Sequence, residues 1–425
     1  MHVSAKTWLK IIAITLAFTH IQAVHANKTL GLEEAVAIAQ SANPALAAIE
    51  ARRETLQQLA HQQSALPEPS LSINTLNIPL DSFSLSQEPM TQLQVRIDQT
   101  LPYPGKLALA SQAATHQAQA AHYDYQQQRL LLTRDVKTLW WNLFYLDQAL
   151  AAVKQNQILY EQVINIAETR YQVGQGSQQD ILLAQLEHSK LHDQSLRLQQ
   201  MRKNEAIRLN VLLDQEANSP IELPPLQDKQ LPNLDDINTF QEQALKSQPS
   251  LFAQQQRIEH ARTQIELAKK EYSPDFKLGA AYGLRFGDNT DGSDRADFGS
   301  IFFTVNLPLY TDKRQDRLLD QRNAQWLQQK YALSDLRNTV LSNVNQAIND
   351  FSSLKQQTEL FNHEIIPHAK QTVDVMLAGY QVGKVDFLSL AQSQTTLYNY
   401  ETQRWKTFSA AQQALARLSA ALGEE

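Results

Sequence analysis

The 425-residue chain contains no cysteine. That absence excludes a disulfide frame, a thiolate metal site and an N-terminal cysteine able to carry a lipid. No run of about 18 apolar residues occurs after the N-terminal segment, so no transmembrane helix is predicted. The formal charge is −6 and no block of Lys and Arg stands out, which argues against a nucleic-acid partner. No nucleophile–base–orienter set and no phosphate-binding loop is present, so the residues support neither catalysis nor a cofactor.

What the chain does have begins with an export signal. "MHVSAKTWLK" carries Lys6 and Lys10 and no acid, the apolar stretch "IIAITLAF" follows, and Val24 and Ala26 satisfy a small-x-small cleavage rule. Cleavage after Ala26 makes 1–26 a signal peptide. Its removal takes away two lysines and moves the formal charge to −8.

The chain has only 12 glycines and 15 prolines, and they are unevenly placed. Between Pro104 and Pro220 there is no proline, and the glycines there are Gly105, Gly174 and Gly176. Lys106–Val173 therefore has neither breaker and is rich in Ala, Leu, Gln, Lys and Arg, which predicts one helix about 100 Å long. A second long stretch runs from Gly299 to Gly379, interrupted only by Pro308 and by Pro367, where a kink is expected. Helices of this length imply coiled-coil packing rather than a compact globule.

The two halves resemble each other. Asn43-Pro44-x-Leu46 recurs as Gln248-Pro249-x-Leu251, 205 residues on, and Pro69 recurs as Pro274 at the same offset. Leu101-Pro102 recurs as Leu307-Pro308 at 206, and "YQVG" occurs at Tyr171–Gly174 and again at Tyr380–Gly383, 209 residues apart. An internal duplication follows. The first structural repeat is 27–225, with strands near 70–101 and a tip near 171–177. The second is 226–425, with strands near 275–308 and a tip near 380–386. They join near the proline-rich "SPIELPPLQDKQLPNL".

Each half also carries two segments of period two, the strand signature. Leu71, Ile73 and Thr75 share a face, as do Leu93, Val95 and Ile97 opposite Gln94, Arg96 and Asp98. In the second half, the alternation runs over Phe276–Phe286 and over Ile301–Leu307. About ten residues, apolar on one face and polar on the other, is the membrane-barrel pattern. The competing reading is a soluble two-hairpin sheet whose apolar face lies on its own helices. Four strands cannot close a spanning barrel, since such barrels start at about eight strands and an open edge is not tolerated in lipid. If these strands span a membrane, several copies must share one barrel.

The order of these features resembles the TolC family of outer-membrane efflux channels over essentially the whole mature sequence. The residues that carry the resemblance are "LEEAVAIAQSANPAL", "QTLPYPGKL", "RYQVGQGSQQDILLAQ", "LPLYTDK" and "GYQVGKVDFLSLAQSQTTLYN". The "PYPGKL" corner and the missing lipidation cysteine are similar to the CzcC-like heavy-metal efflux branch. The resemblance implies an α+β membrane protein, a homotrimer with four β-strands per chain in a 12-stranded barrel and a long periplasmic helical tunnel. It also implies partners: outer-membrane lipid, a periplasmic adaptor (membrane fusion) protein, and an inner-membrane pump of the RND or another efflux class. The expected role is a passive exit duct of a tripartite efflux or type I secretion system. Heavy-metal cations or small toxic compounds are the expected cargo. The competing classes are a structural or adhesive coiled-coil stalk and a periplasmic adaptor without transport.

The two tips are where function concentrates. Gly174 and Gly383 occupy the reversal points, where a positive φ is required. Ser177-x-x-Asp180 reads as a capping box and Asp386 as a second cap. Through the family resemblance, Val173, Gly174, Ser177, Val382, Gly383 and Val385 match the adaptor-docking tip. Tyr380 and Asp180 match a Tyr–Asp contact that closes the periplasmic gate. Ser389 and Gln392 stand where the family has acidic rings, and Val385 replaces a family arginine. Asp386, one turn away, is expected to supply a carboxylate ring of its own. His188 and His192 have chelating spacing, but on a polar helix they read as exposed histidines, and His363 and His368 read no differently. "DNTDGSD" at Asp288–Asp294 lacks the calcium-loop pattern and reads as an acidic extracellular loop.

Overall fold

The computed structural model describes residues 29–225, 230–234 and 236–424; the expected signal peptide lies outside them. Two short helices, α1 (Leu32–Ala42) and α2 (Pro44–Ser64), lead into strands β1 (Ser70–Leu76) and β2 (Gln92–Leu101). Then come the long helix α3 (Lys106–Gln172) and the returning α4 (Gln178–Leu212). The second half runs in the same order: α5 (Ile237–Ser247), α6 (Pro249–Lys270), β3 (Phe276–Leu284), β4 (Phe298–Val305), α7 (Gln315–Leu360), α8 (Ile366–Gln381) and α9 (Phe387–Leu422).

Helix α3 fills the breaker-free stretch with 67 residues. It starts at Gly105, whose φ of +91° only glycine adopts without strain. The matching line in the second half is broken. A five-residue π-helical turn, Phe361–Ile365, separates α7 from α8, and Pro367 sits in the first turn of α8. The wide turn just before it gives the proline ring room against the preceding carbonyls, and both the π-turn and the proline fall where the kink was expected.

The helices lie as four staves. Helix α3 packs between α2 and α4 on one side and α6 and α9 on the other, while α7 and α8 pack on α6 and α9. An aromatic cluster joins the central staves: Trp140, Trp141 and Phe144 of α3 meet Trp405 and Phe408 of α9, mostly edge to face. Each half also clasps its own end. Asn43, between α1 and α2, caps α2 and donates to the Leu212 carbonyl at 3.0 Å. Gln248, between α5 and α6, donates to the Ala420 carbonyl at 3.3 Å.

The strands form one antiparallel sheet in the order β1-β2-β3-β4. β3 stops at Leu284 and β4 spans Phe298–Val305, so Phe286 and Leu307 fall outside the strands that alternation alone had assigned them to. The sheet is inverted relative to a soluble one. Leu71, Ile73, Val95, Ile97, Leu278, Tyr282, Ile301 and Phe303 are exposed, whereas Gln92, Gln94 and Asp98 are buried. The apolar face points away from the helices, which removes the soluble-sheet alternative. Sheet and staves meet at a polar corner. There Asp275 accepts from the Tyr103 N–H at 2.7 Å and from Lys106 Nζ at 3.1 Å, and Glu271 is 3.2 Å from the same lysine. The "PYPGKL" residues at this corner thus have a structural task.

Candidate functional site: the paired helical tips

Helix α3 turns into α4, and α8 into α9, through two loops that lie side by side at the end remote from the sheet. Gly174 has φ +73° and Gly383 φ +76°. In each loop the glycine N–H bonds the tyrosine carbonyl three residues back, Gly174 to Tyr171 at 3.0 Å and Gly383 to Tyr380 at 3.1 Å.

The return helices are capped by the same box with its residues exchanged. Ser177 Oγ accepts from the Asp180 N–H at 3.2 Å and donates to Asp180 Oδ1 at 3.0 Å. In the other tip Asp386 accepts from the Ser389 N–H at 2.9 Å and from Ser389 Oγ at 2.8 Å. The Ser389 N–H, then its hydroxyl, hold the Asp386 carboxyl below the ordinary aspartate value of 3.8. That carboxylate caps its own helix start, with Ser389 as its partner. Gln392 lies one turn further along α9.

Tyr380 is the point where the tips touch. It is only 1% exposed, packed among Tyr160, Val163, Ala184, Phe387 and Leu390, with the Phe387 ring edge-on at 6.0 Å. Its hydroxyl donates to Asp180 Oδ2 at 3.2 Å, bringing together the two residues that the family resemblance paired. Burial, and then the Asp180 charge, push its hydroxyl up from 10.0 to about 12. The phenol therefore stays a donor at any physiological pH.

Sequence reasoning missed a third member. Arg170, from the last turn of α3, lays its guanidinium 4.7 Å from the Tyr380 ring centroid. Its two Nη atoms donate to the Tyr380 carbonyl and, at 3.0 Å, to the Gln175 carbonyl. One arginine thus ties its own loop to the neighbouring tip through a ring face and two carbonyls, a combination suited to its planar fork. The available signal was the offset of 209, which pairs Arg170 with Gly379. A large residue beside a glycine at matched positions marks a place where only one side can fill the space.

Of the positions expected to dock an adaptor, Val173 and Val382 project with 62% and 68% of their surface exposed. Gly174 has open space where a side chain would stand. Ser177 and Gly383 are exposed, and Val385 is half-buried against Gly379. His188 lies 3.6 Å from Glu161, and no group of three or more potential metal ligands occurs among the described residues. Asp288–Asp294 closes on itself through an isolated bridge and the Asp291–Ser293 turn.

The sequence matches the model of the outer membrane efflux protein family over residues 35–215 and 241–424. Outer membrane protein TolC of Escherichia coli (strain K12) is 23% identical over 174 residues, which is 38% of this chain and 35% of TolC, about a third of that relative's length. Among solved structures, the outer membrane protein VceC of Vibrio cholerae superposes with a TM-score of 0.78 at 19% identity, covering 92% of this chain and 96% of that one. The open state of the MtrE outer membrane channel of Neisseria gonorrhoeae superposes with a TM-score of 0.75 at 16% identity, covering 92% and 89%.

Proposed function

The chain belongs to the outer membrane efflux protein family, and from that premise we propose that it is a passive exit duct for a pump in the inner membrane. It is an outer-membrane protein and not an enzyme. The observation that carries the duct reading is the open, inverted sheet. Its apolar face is exposed, and β1 and β4 are unpaired at its edges. Such a sheet suits lipid only if the edges are closed by further copies. The stave layer ends in the same way. Leu182, Leu186 and Leu196 of α4 lie exposed at one edge, and Val375 of α8 lies exposed at the other.

Three copies would close a 12-stranded barrel, within the size range of outer-membrane barrels, and would roll the staves into a tunnel below it. The tips then form its periplasmic mouth. Val173, Gly174, Ser177, Val382, Gly383 and Val385 present small and apolar surface to an adaptor protein. Asp180, Tyr380 and Arg170 hold neighbouring hairpins together as a latch. A bond from a buried phenol to a carboxylate contributes about 1.5–3 kcal/mol, repeated once per copy. Cargo passes without covalent chemistry, and heavy-metal cations or small toxic compounds delivered by an RND-type or other pump are the proposed load.

Purified protein in a planar bilayer tests this reading. A duct gives discrete conductance steps, and its mass in detergent corresponds to three chains. A coiled-coil stalk gives trimers without steps, and a periplasmic adaptor stays in solution without detergent.

A further inference from the structure

The polar face of the sheet holds an arrangement that the tips do not explain. Charged side chains on that face of the four strands are Arg96, Asp98 and Lys277. On a solvated wall such groups extend into water, yet the Asp98 side chain is only 7% exposed. Arg96 grips it in a bidentate fashion, Nε to Oδ2 and Nη2 to Oδ1, both at 2.8 Å. Lys277 Nζ stands 4.0 Å away.

The register explains how these groups lie flat. Asp98 is opposite Gly279 on β3, and Gly279 is opposite Phe302 on β4. Arg96 is opposite Ala281. A side chain begun at Gly279 would run into the Asp98 carboxylate, with Cγ only 3.1 Å from the new carbon. Because β3 offers only Gly279 and Ala281 here, Asp98 rests on the backbone. Arg96 crosses the strand to place its guanidinium 3.9 Å from the Phe302 ring centroid. Three strands thus build one seat, in which a single anion is shared by two cations.

We propose that Asp98 sets the charge that permeating ions meet inside the membrane segment, and that Gly279 and Phe302 fix where that charge lies. This rests on the reading that this face lines the bore. With Asp98 in place, each copy contributes two cations and one anion; without it, two unopposed cations. Repeated around the bore, that change turns the wall toward anions, since lumen residues tune barrel selectivity.

Reversal potentials of the purified protein in a KCl gradient test the proposal. Asp98→Asn is expected to shift the potential toward anion permeation, and Arg96→Gln and Lys277→Gln toward cation permeation. Gly279→Ala keeps the charge count but lifts the carboxylate off the wall, so a shift toward cations is expected there also. No shift in Asp98→Asn, or shifts of the same sign in Asp98→Asn and Arg96→Gln, overturn the proposal. The bore reading is tested separately in the cysteine-free chain: Ser300→Cys lies on the same face opposite Ala281, and 2-sulfonatoethyl methanethiosulfonate should change its current. An unresponsive Ser300→Cys channel sinks the bore reading. A responsive one beside an unshifted Asp98→Asn sinks only the seat.

Discussion

Tyr171 and Tyr380 head the same four residues, yet the first is 49% exposed and the second 1%. Their neighbours differ by an exchange of bulk. In the first tip the helix carries Arg170 and the loop carries Gly176; a side chain at Gly176 would stand 3.0 Å from Arg170 Cβ. In the second tip the helix carries Gly379 and the loop carries Val385, whose Cγ2 lies 2.5 Å from where a Gly379 side chain would begin. One tip fills the turn from its helix and the other from its loop. Arg170 is then long enough to reach across and cover Tyr380, while Tyr171 stays exposed. Two equal turns joined side by side acquire unequal roles because the shared space between them can be occupied only once.

The largest expected effect lies where the halves are alike. Both supply a hairpin whose outward face is apolar, so Val95→Arg in the first half and Phe303→Arg in the second should each abolish recovery from the outer-membrane fraction. Arginine near the midplane of a barrel's lipid face costs about 2–4 kcal/mol per copy. Arg96→Ala, on the opposite face, should still insert. Equal membrane yields for Val95→Arg and Arg96→Ala would break the assignment of the faces.

The glycine pair separates docking from latching. Gly174→Leu and Gly383→Leu both force a side chain into left-handed backbone, worth about 1–2 kcal/mol, and both should end adaptor cross-linking and export while the oligomer persists. At Gly174 the added atoms meet open space, whereas at Gly383 they approach Arg170 Nη2 at 3.3 Å. Only Gly383→Leu should therefore also raise resting conductance in single-channel records.

A smaller effect is expected from the tyrosines themselves. Tyr380→Phe should raise resting conductance and Tyr171→Phe should leave it unchanged. Adding Asp180→Ala to Tyr380→Phe should contribute little more, since both remove the same bond; full additivity would disprove the latch. The same bond dictates the pH response. The Tyr380 hydroxyl is raised from 10.0 to about 12, so its contribution is complete below about pH 10 and is lost as pH rises through 12. Conductance should be flat through neutral pH and climb above pH 10 in the native chain, with the climb missing in Tyr380→Phe.

The smallest effect belongs to the second cap. Asp386→Asn removes an exposed charge already engaged with Ser389 and should lower cation preference at low ionic strength without opening the pore. Opening in this variant would move the latch from Tyr380 to Asp386.

Much of this molecule was open to reading along the chain, because its signals are local. A breaker-free stretch from Lys106 to Val173 has no alternative to helix. Alternation at Gln92–Leu101 leaves one face apolar whatever it packs on, and the φ demanded at Gly174 and Gly383 is a property of the turn itself. Other features depend on what stands across from a residue, which no local pattern records. The π-helical turn at Phe361–Ile365 lies beside Pro367, but the proline alone announced only an interruption and not the width of the turn. Alternation could not say whether the strands' apolar face turns toward the helices or away from them. Arg170 over Tyr380, and Asp98 seated on Gly279, join residues 210 and 181 positions apart in the chain. Helix and strand follow from each residue's own backbone preferences and periodicity. The identity of the residue that fills a shared space follows only once two distant segments have been brought side by side.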